Sequence, residues 1–183
     1  MESFSEQPDP VTYAWLDQNK HIWLCNKDTI FLYNTDTKQV THIKNDISEE
    51  ITDIEQIDES HFFIGTERGI HYAQLENNAL KLINCDKLES VKAQVSDLHF
   101  DKKIRKLFIG TFLRGIMVYD MNTKSVIRPD YNLKDISITR FKPLNDKELL
   151  IATDGGGVHK INMDTYQIVP EIVADYNSNC GMN

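Results

Sequence analysis

An apolar tetrapeptide recurs four times along the chain, as Ile22-Trp23-Leu24-Cys25, Phe62-Phe63-Ile64-Gly65, Leu107-Phe108-Ile109-Gly110 and Leu149-Leu150-Ile151-Ala152. The second positions, Trp23, Phe63, Phe108 and Leu150, lie 40, 45 and 42 residues apart. Consecutive apolar residues place side chains on both faces of a strand, so each copy predicts a strand that must be covered from two sides. No segment sustains a helical period. A repeat in the forties built of short strands and turns fits a propeller blade better than a helical repeat.

Three further segments complete each unit. A short alternating stretch precedes each tetrapeptide: Val11 to Ala14, Ile51 to Ile54, Val95 to Leu98 and Ile138 to Phe141. These are the expected innermost strands, with one face on a neighbouring blade and polar groups toward the axis. After the tetrapeptide comes a turn and a third strand, with Gly69, Gly115 and Gly155 to Gly157 supplying the glycines a tight hairpin favours. Thr29 stands there in the first copy, which predicts a turn of different shape. Turns rich in Asn, Asp and Thr then lead to an outer strand at Val40 to Ile43, Leu80 to Ile83, Ser125 to Arg128 and Gln167 to Val169.

The predicted fold class is therefore all-β, with four propeller blades, each a four-stranded antiparallel sheet, at about 11–44, 51–84, 95–129 and 136–170. Such small sheets cannot hide both faces of the second strand unless copies stack on them. Gly65, Gly110 and Ala152 are small where neighbouring sheets should approach closely, and Cys25 at the same position is read as a buried packing residue. Residues 171–183 are read as a linker toward a further blade.

Charge and composition narrow the chemistry. The chain has 183 residues, 40% of them hydrophobic, and a net charge of −8, which argues against a phosphate-binding surface and hence against nucleic acid as a partner. No stretch approaches a membrane span, and Met1 to Pro10 has no export signal. Cys25, Cys85 and Cys180 are too far apart for a zinc site. His71, His99 and His159 lack the spacing of a hydrolytic or metal motif and are read as ordinary strand residues. No cofactor, metal site or catalytic residue is predicted.

The segments Leu107-Phe108-Ile109-Gly110-Thr111 and Gly115-Ile116-Met117-Val118-Tyr119-Asp120 carry a family resemblance. They resemble the two-component-regulator propeller repeat found in periplasmic sensor regions of hybrid two-component systems. The likeness runs from about Val11 to Asp175, and departs from the pattern at Thr29, Cys25, Ala152 and Ala73-Gln74. It implies a periplasmic signal-input segment of a membrane-anchored sensor, without enzymatic activity of its own, whose partners are the remaining blades and domains of the parent protein. The tail Asp175 to Asn179 resembles a linker into another blade, which implies a longer propeller. The ligand implied is a glycan fragment.

Six residues are candidates for ligand contact. Arg68, Arg114 and Asp154 fall in the turns between second and third strands, at the end where the loops entering each blade also open. An arginine there can clamp a uronic acid carboxylate through its planar fork. Asp53, Asp97 and Arg140 share one position on the inner strands, where pairing across blades is the favoured purpose. Tyr13, Trp15, Trp23 and Tyr33 can stack on sugar rings, with core packing favoured for Trp23. Two alternatives remain open: a propeller lyase or hydrolase fragment with a central-channel site, and a structural or dimerisation module. Homo-oligomerisation is expected if blade faces are left uncovered.

Overall fold

Each repeat forms a small sheet in the computed structural model, which describes residues 10–169 apart from 27–28, 132 and 134–135. The first sheet contains β1 (Tyr13–Leu16), β2 (His21–Cys25), β3 (Ile30–Asn34) and β4 (Val40–Asn45). The second contains β5 (Ile51–Gln56), β6 (His61–Thr66), β7 (Ile70–Glu76) and β8 (Ala79–Ile83). A single helical turn, α1 (Asp86–Glu89), leads to β9 (Val95–Asp101), β10 (Lys106–Thr111), β11 (Gly115–Asp120) and β12 (Ser125–Ile127). The fourth sheet contains β13 (Ile138–Pro143), β14 (Glu148–Thr153) and β15 (Gly157–Asn162). Within every sheet consecutive strands pair antiparallel, which is the up-and-down order of a propeller blade. The 45-residue interval in the sequence has its cause in the α1 connection, which is longer than the short loop between β4 and β5.

Two details depart from four separate four-stranded sheets. The end of β4 runs past Ile43 and pairs in parallel with the start of β8, Lys44 opposite Ala79 and Asn45 opposite Leu80. The outer edges of the first two sheets thereby satisfy some of each other's backbone groups instead of leaving them to solvent. In the fourth sheet the outer segment is reduced to one antiparallel bridge between Ile161 and Ile168. It is flanked by hydrogen bonds from Asn162 N to Gln167 O and from Val169 N to Lys160 O, each under 3 Å. The linker read at 171–183, the Asp175 to Asn179 tail, Cys180 and residues 1–9 lie outside the described residues.

Side-chain carbonyls and carboxylates close the hairpins as the turn composition suggests. Asp58 Oδ1 accepts from Ser60 N and His61 N, and Asn145 Oδ1 accepts from Lys147 N and Glu148 N, between first and second strands. Asn34, Asp120 and Asn162 do the same between third and fourth strands. The second sheet instead uses Asn77 and Asn78, both left-handed at φ 51° and 57°, as a two-residue turn suited to asparagine. At the second-to-third turns a threonine ends the strand: the hydroxyls of Thr66, Thr111 and Thr153 donate to the carbonyls of Gly69, Gly115 and Gly157. In the first copy Asn26 takes that place and accepts from both Thr29 N and the Thr29 hydroxyl, so the turn without glycine has its own closure.

The core sits between the sheets, not within one of them. Trp23, Cys25 and Ile30 of the first sheet meet Ile54, Phe62 and Ile64 of the second. Phe63 of the second meets Leu98, Leu107 and Ile109 of the third, and Phe108 of the third meets Phe141, Leu149 and Ile151 of the fourth. Alternate residues of the second and third tetrapeptides thus serve opposite neighbours. Gly65 explains how close the sheets come: a Cβ there would lie 2.6 Å from Val95 Cγ1 on the next sheet. At Gly110 it would lie 2.8 Å from Ile138 Cγ2. Cys25 is fully buried, as expected of a packing residue, and burial pushes its thiol up to about 12.

Candidate functional site

The inner strands carry the same irregularity in three repeats, and it aims their side chains. Thr52, Ser96 and Thr139 are extra residues in the pairing with the second strand: Ile51 faces Thr66 and Asp53 faces Gly65, with the same step at Val95 and Asp97 and at Ile138 and Arg140. Such bulges turn the strand locally and re-aim the next side chain. That next position is Asp53, Asp97 or Arg140, the row singled out from the sequence.

The row is joined across sheets. Tyr13, at the same position of the first repeat, donates its hydroxyl to Asp53 Oδ1 at 2.7 Å and accepts from Ile54 N at 3.2 Å. Asp53 Oδ2 accepts from Leu98 N at 2.6 Å. Asp97 Oδ2 accepts from Phe141 N at 2.5 Å, and Asp97 Oδ1 accepts from Arg140 Nη1 at 2.8 Å. One rule covers all three junctions: the side chain of this position takes the backbone N–H one residue further on in the next inner strand. Each inner strand is the edge of its sheet, so its outward N–H has no ladder partner, and the Tyr13 hydroxyl and the two carboxylates supply one. Asp97 and Arg140 therefore do pair across sheets, whereas Asp53 pairs with Tyr13 and a backbone N–H. A second row lies beside the first, with Gln18 N bonded to Gln56 Oε1 at 2.9 Å and Phe100 N to Glu55 Oε1 at 3.1 Å.

Burial dominates the electrostatics of this row. Asp53 and Asp97 are 7% and 5% exposed. Burial raises the Asp53 carboxyl despite the bonds from Tyr13 and Leu98, and raises Asp97 to about 6 with help from the Asp53 charge, against the pull of Phe141 N and Arg140. Glu55 is raised to about 7 by burial and by the charges of Asp53 and Asp97. Arg140 is different in kind. Its side chain is 70% exposed, and as a donor-only group it cannot receive an N–H as Asp53 and Asp97 do.

The turn residues are exposed and are not gathered into one cavity. Arg68 lines a cavity of about 250 Å³ with Glu49, His71, Glu89 and Lys92. Arg114 lines another of about 250 Å³ with Arg128, Tyr131 and Leu133. Asp154 lines neither of these. The turns do share an end with the entry loops: Glu67 N bonds Glu50 O, Phe112 N bonds Gln94 O and Asp154 N bonds Ser137 O. The pairing of Asp53 with Gly65 and of Arg140 with Ala152 sets the axial row one step from that end.

Sequence reasoning missed Tyr13 as a member of the row, although its repeat position was the available signal. Its hydroxyl is engaged in the junction, and its partly buried ring packs against the core of the first two sheets. Trp15 and Trp23 pack with Phe62 and with each other, ring centroids 4.8 to 6.3 Å apart; Trp23 is buried in the core and Trp15 partly buried against it. Among the described residues no group of three or more His, Cys, Asp and Glu is placed to hold a metal ion. Also among them, no helix is long and apolar enough to cross a membrane.

No protein-family model and no curated protein matches the sequence. Solved structures do match. The extracellular domain of a proposed one-component system from B. thetaiotaomicron aligns with 96% of the chain at a TM-score of 0.71 and 15% identity. That of a proposed hybrid two-component system from the same organism aligns with 88% at 0.65 and 13% identity. The computationally designed Ika8 protein aligns with 91% at 0.65 and 17% identity. The chain spans 27%, 24% and 50% of those three chains respectively. At these identities the likeness is one of fold, and the resemblance to sensor propellers read from the repeats is met at that level.

Proposed function

We propose that this chain is a ligand-recognising segment of an extracytoplasmic, membrane-anchored sensor in a two-component pathway, periplasmic in location, non-enzymatic, and responsive to glycan fragments. The fold alone does not carry function, since a designed protein shares it. What supports the reading is a specific arrangement: Arg140 is held at one nitrogen by a buried carboxylate and otherwise open to solvent beside the turn end of the axis. Such a guanidinium is oriented before a ligand arrives, and its free N–H groups match a sugar carboxylate or paired hydroxyls. The fold likeness to extracellular domains of sensor proteins agrees with an input role. Arg68, Arg114 and Asp154 are the proposed outer contacts at the same end, with Asp53 and Asp97 supporting Arg140 from beneath.

Calorimetry on the 183-residue chain with neutral and uronate-containing oligosaccharides tests this. Binding is expected for at least one uronate-containing series and should weaken about tenfold in Arg140→Gln. Uniform silence across the series, or affinity indifferent to Arg140→Gln and Arg114→Gln together, would overturn the reading.

A further inference from the structure

A cavity among the described residues lies away from the axis. It is a cleft of about 620 Å³ between the outer parts of the second and third sheets, with Tyr72, Lys87, Arg105, Tyr119, Met121 and Lys124 in its lining. That volume falls in the range of small-molecule sites. The sequence builds this cleft where it departs from its own period. The connection after β8 carries α1 and is anchored by Leu88 and Val91, both 1% exposed, so that Lys87 stands at the wall. Arg105 comes from the turn between β9 and β10, and Lys124 from the turn between β11 and β12.

Its charge runs opposite to that of the molecule. The chain carries 28 acidic and 20 basic residues, yet three cations and no carboxylate line this cleft. The rings of Tyr72 and Tyr119 and the Met121 side chain line the same cleft, and the Tyr119 hydroxyl is 3.2 Å from Cys85 Sγ. Three cations and two aromatic rings lining one cleft are complementary to a ligand with a negative head and a flat body.

We propose that this cleft binds a small ring-bearing carboxylate, its carboxylate on Lys87, Arg105 and Lys124 and its ring against Tyr72, Tyr119 and Met121. This site is separate from Arg140 and does not depend on a ligand at the axis. Two sources share that chemistry, a sugar acid and an aromatic acid, so glucuronate and benzoate are the probes, with glucose and benzyl alcohol as uncharged controls.

The variant that tests it is Arg105→Asn with Lys124→Asn. Both residues hold left-handed backbone, φ 55° and 52°, which asparagine adopts more readily than a long side chain, so loss of charge is not confounded with loss of fold. Calorimetry on the 183-residue chain at low salt should detect glucuronate or benzoate. The uncharged control should bind at least about tenfold more weakly, and the double variant should lose about tenfold or more. The binding that the double variant loses should persist in Arg140→Gln, whatever uronate binding at the axis that change removes. The proposal is overturned if neither acid binds, if acid and control bind alike, if the double variant binds as well as the parent, or if Arg140→Gln alone abolishes the signal. The last outcome would assign the ligand to the axis and leave the axial reading standing.

Discussion

Asp97 on the third sheet accepts Arg140 Nη1 on one oxygen and Phe141 N on the other, so one carboxylate fixes both the side chain and the backbone of the fourth sheet. The two bonds differ in worth. The guanidinium is largely solvated, and exposed ion pairs contribute little. The N–H is buried, and leaving it unpartnered costs its desolvation.

Asp97→Ala should therefore lower unfolding stability by about 2–4 kcal/mol, whereas Arg140→Ala should cost less than about 1 kcal/mol. Urea titration followed by circular dichroism reads both. Equal losses would show that the ion pair, and not the backbone bond, holds the junction.

Gly65→Ala should destabilise by about 1–3 kcal/mol, because the new methyl group meets Val95 Cγ1 at 2.6 Å on a packed neighbouring strand. The neighbour identifies the cause. Val95→Ala removes the obstructing methyl groups, so the double variant should be less destabilised than the two single changes added together. Strict additivity in a denaturation cycle would contradict close approach of the sheets as the reason for glycine.

Much of this was legible in the chain because the repeat forces each copy to confirm the others. The tetrapeptides gave the second strands, Gly65 and Gly110 gave the close approach, and Asn34, Asp120 and Asn162 gave the reversals. The junction chemistry was only half legible. Asp53, Asp97 and Arg140 stood out as charges at one repeat position, but Tyr13 did not, because a phenol there reads as an aromatic until its hydroxyl is seen against Asp53. The partner of each carboxylate is an outward backbone N–H of the next inner strand, and a backbone N–H leaves no charge or apolar mark in the sequence. The α1 cleft escaped for a related reason: Lys87, Arg105 and Lys124 come from three connections that no periodicity places together.

Self-association is expected through the two outer sheets. On the third sheet Phe108, Ile116 and Val118 are covered by the fourth sheet. The matching face of the fourth carries Leu150 and Val158, and Val158 is 37% exposed. The first sheet leaves Leu16 61% exposed. These faces are unlike each other, so copies should join head to tail, repeating the internal junction between molecules. Light scattering should show mass rising with concentration, and Val158→Lys should reduce it. A monomer that persists at high concentration would contradict this.

Stability should rise as pH falls from about 8 to about 5, the reverse of ordinary acid loosening. Burial raises Glu55 to about 7 and Asp97 to about 6, each aided by neighbouring carboxylate charge, with Arg140 and Lys102 acting against it. Between the usual carboxylate range and those values the folded chain holds protons that the unfolded chain has released. Folding is then favoured by lowering pH, and that gain is lost as pH climbs through 6 to 7. The effect should be on the order of 1–3 kcal/mol, or a midpoint higher by about 3–8 °C at pH 5 than at pH 8. Below about pH 4 the trend should turn over. Asp58 sits below its usual range, since bonds from Ser60 N and His61 outweigh slight burial, and its stabilising charge is lost there. Glu55→Gln stays neutral throughout and should flatten the rise. Thermal melts in matched buffers decide it, and a midpoint that is flat or falling from pH 8 to pH 5 would show that the inner-strand carboxylates remain ionised in the folded state.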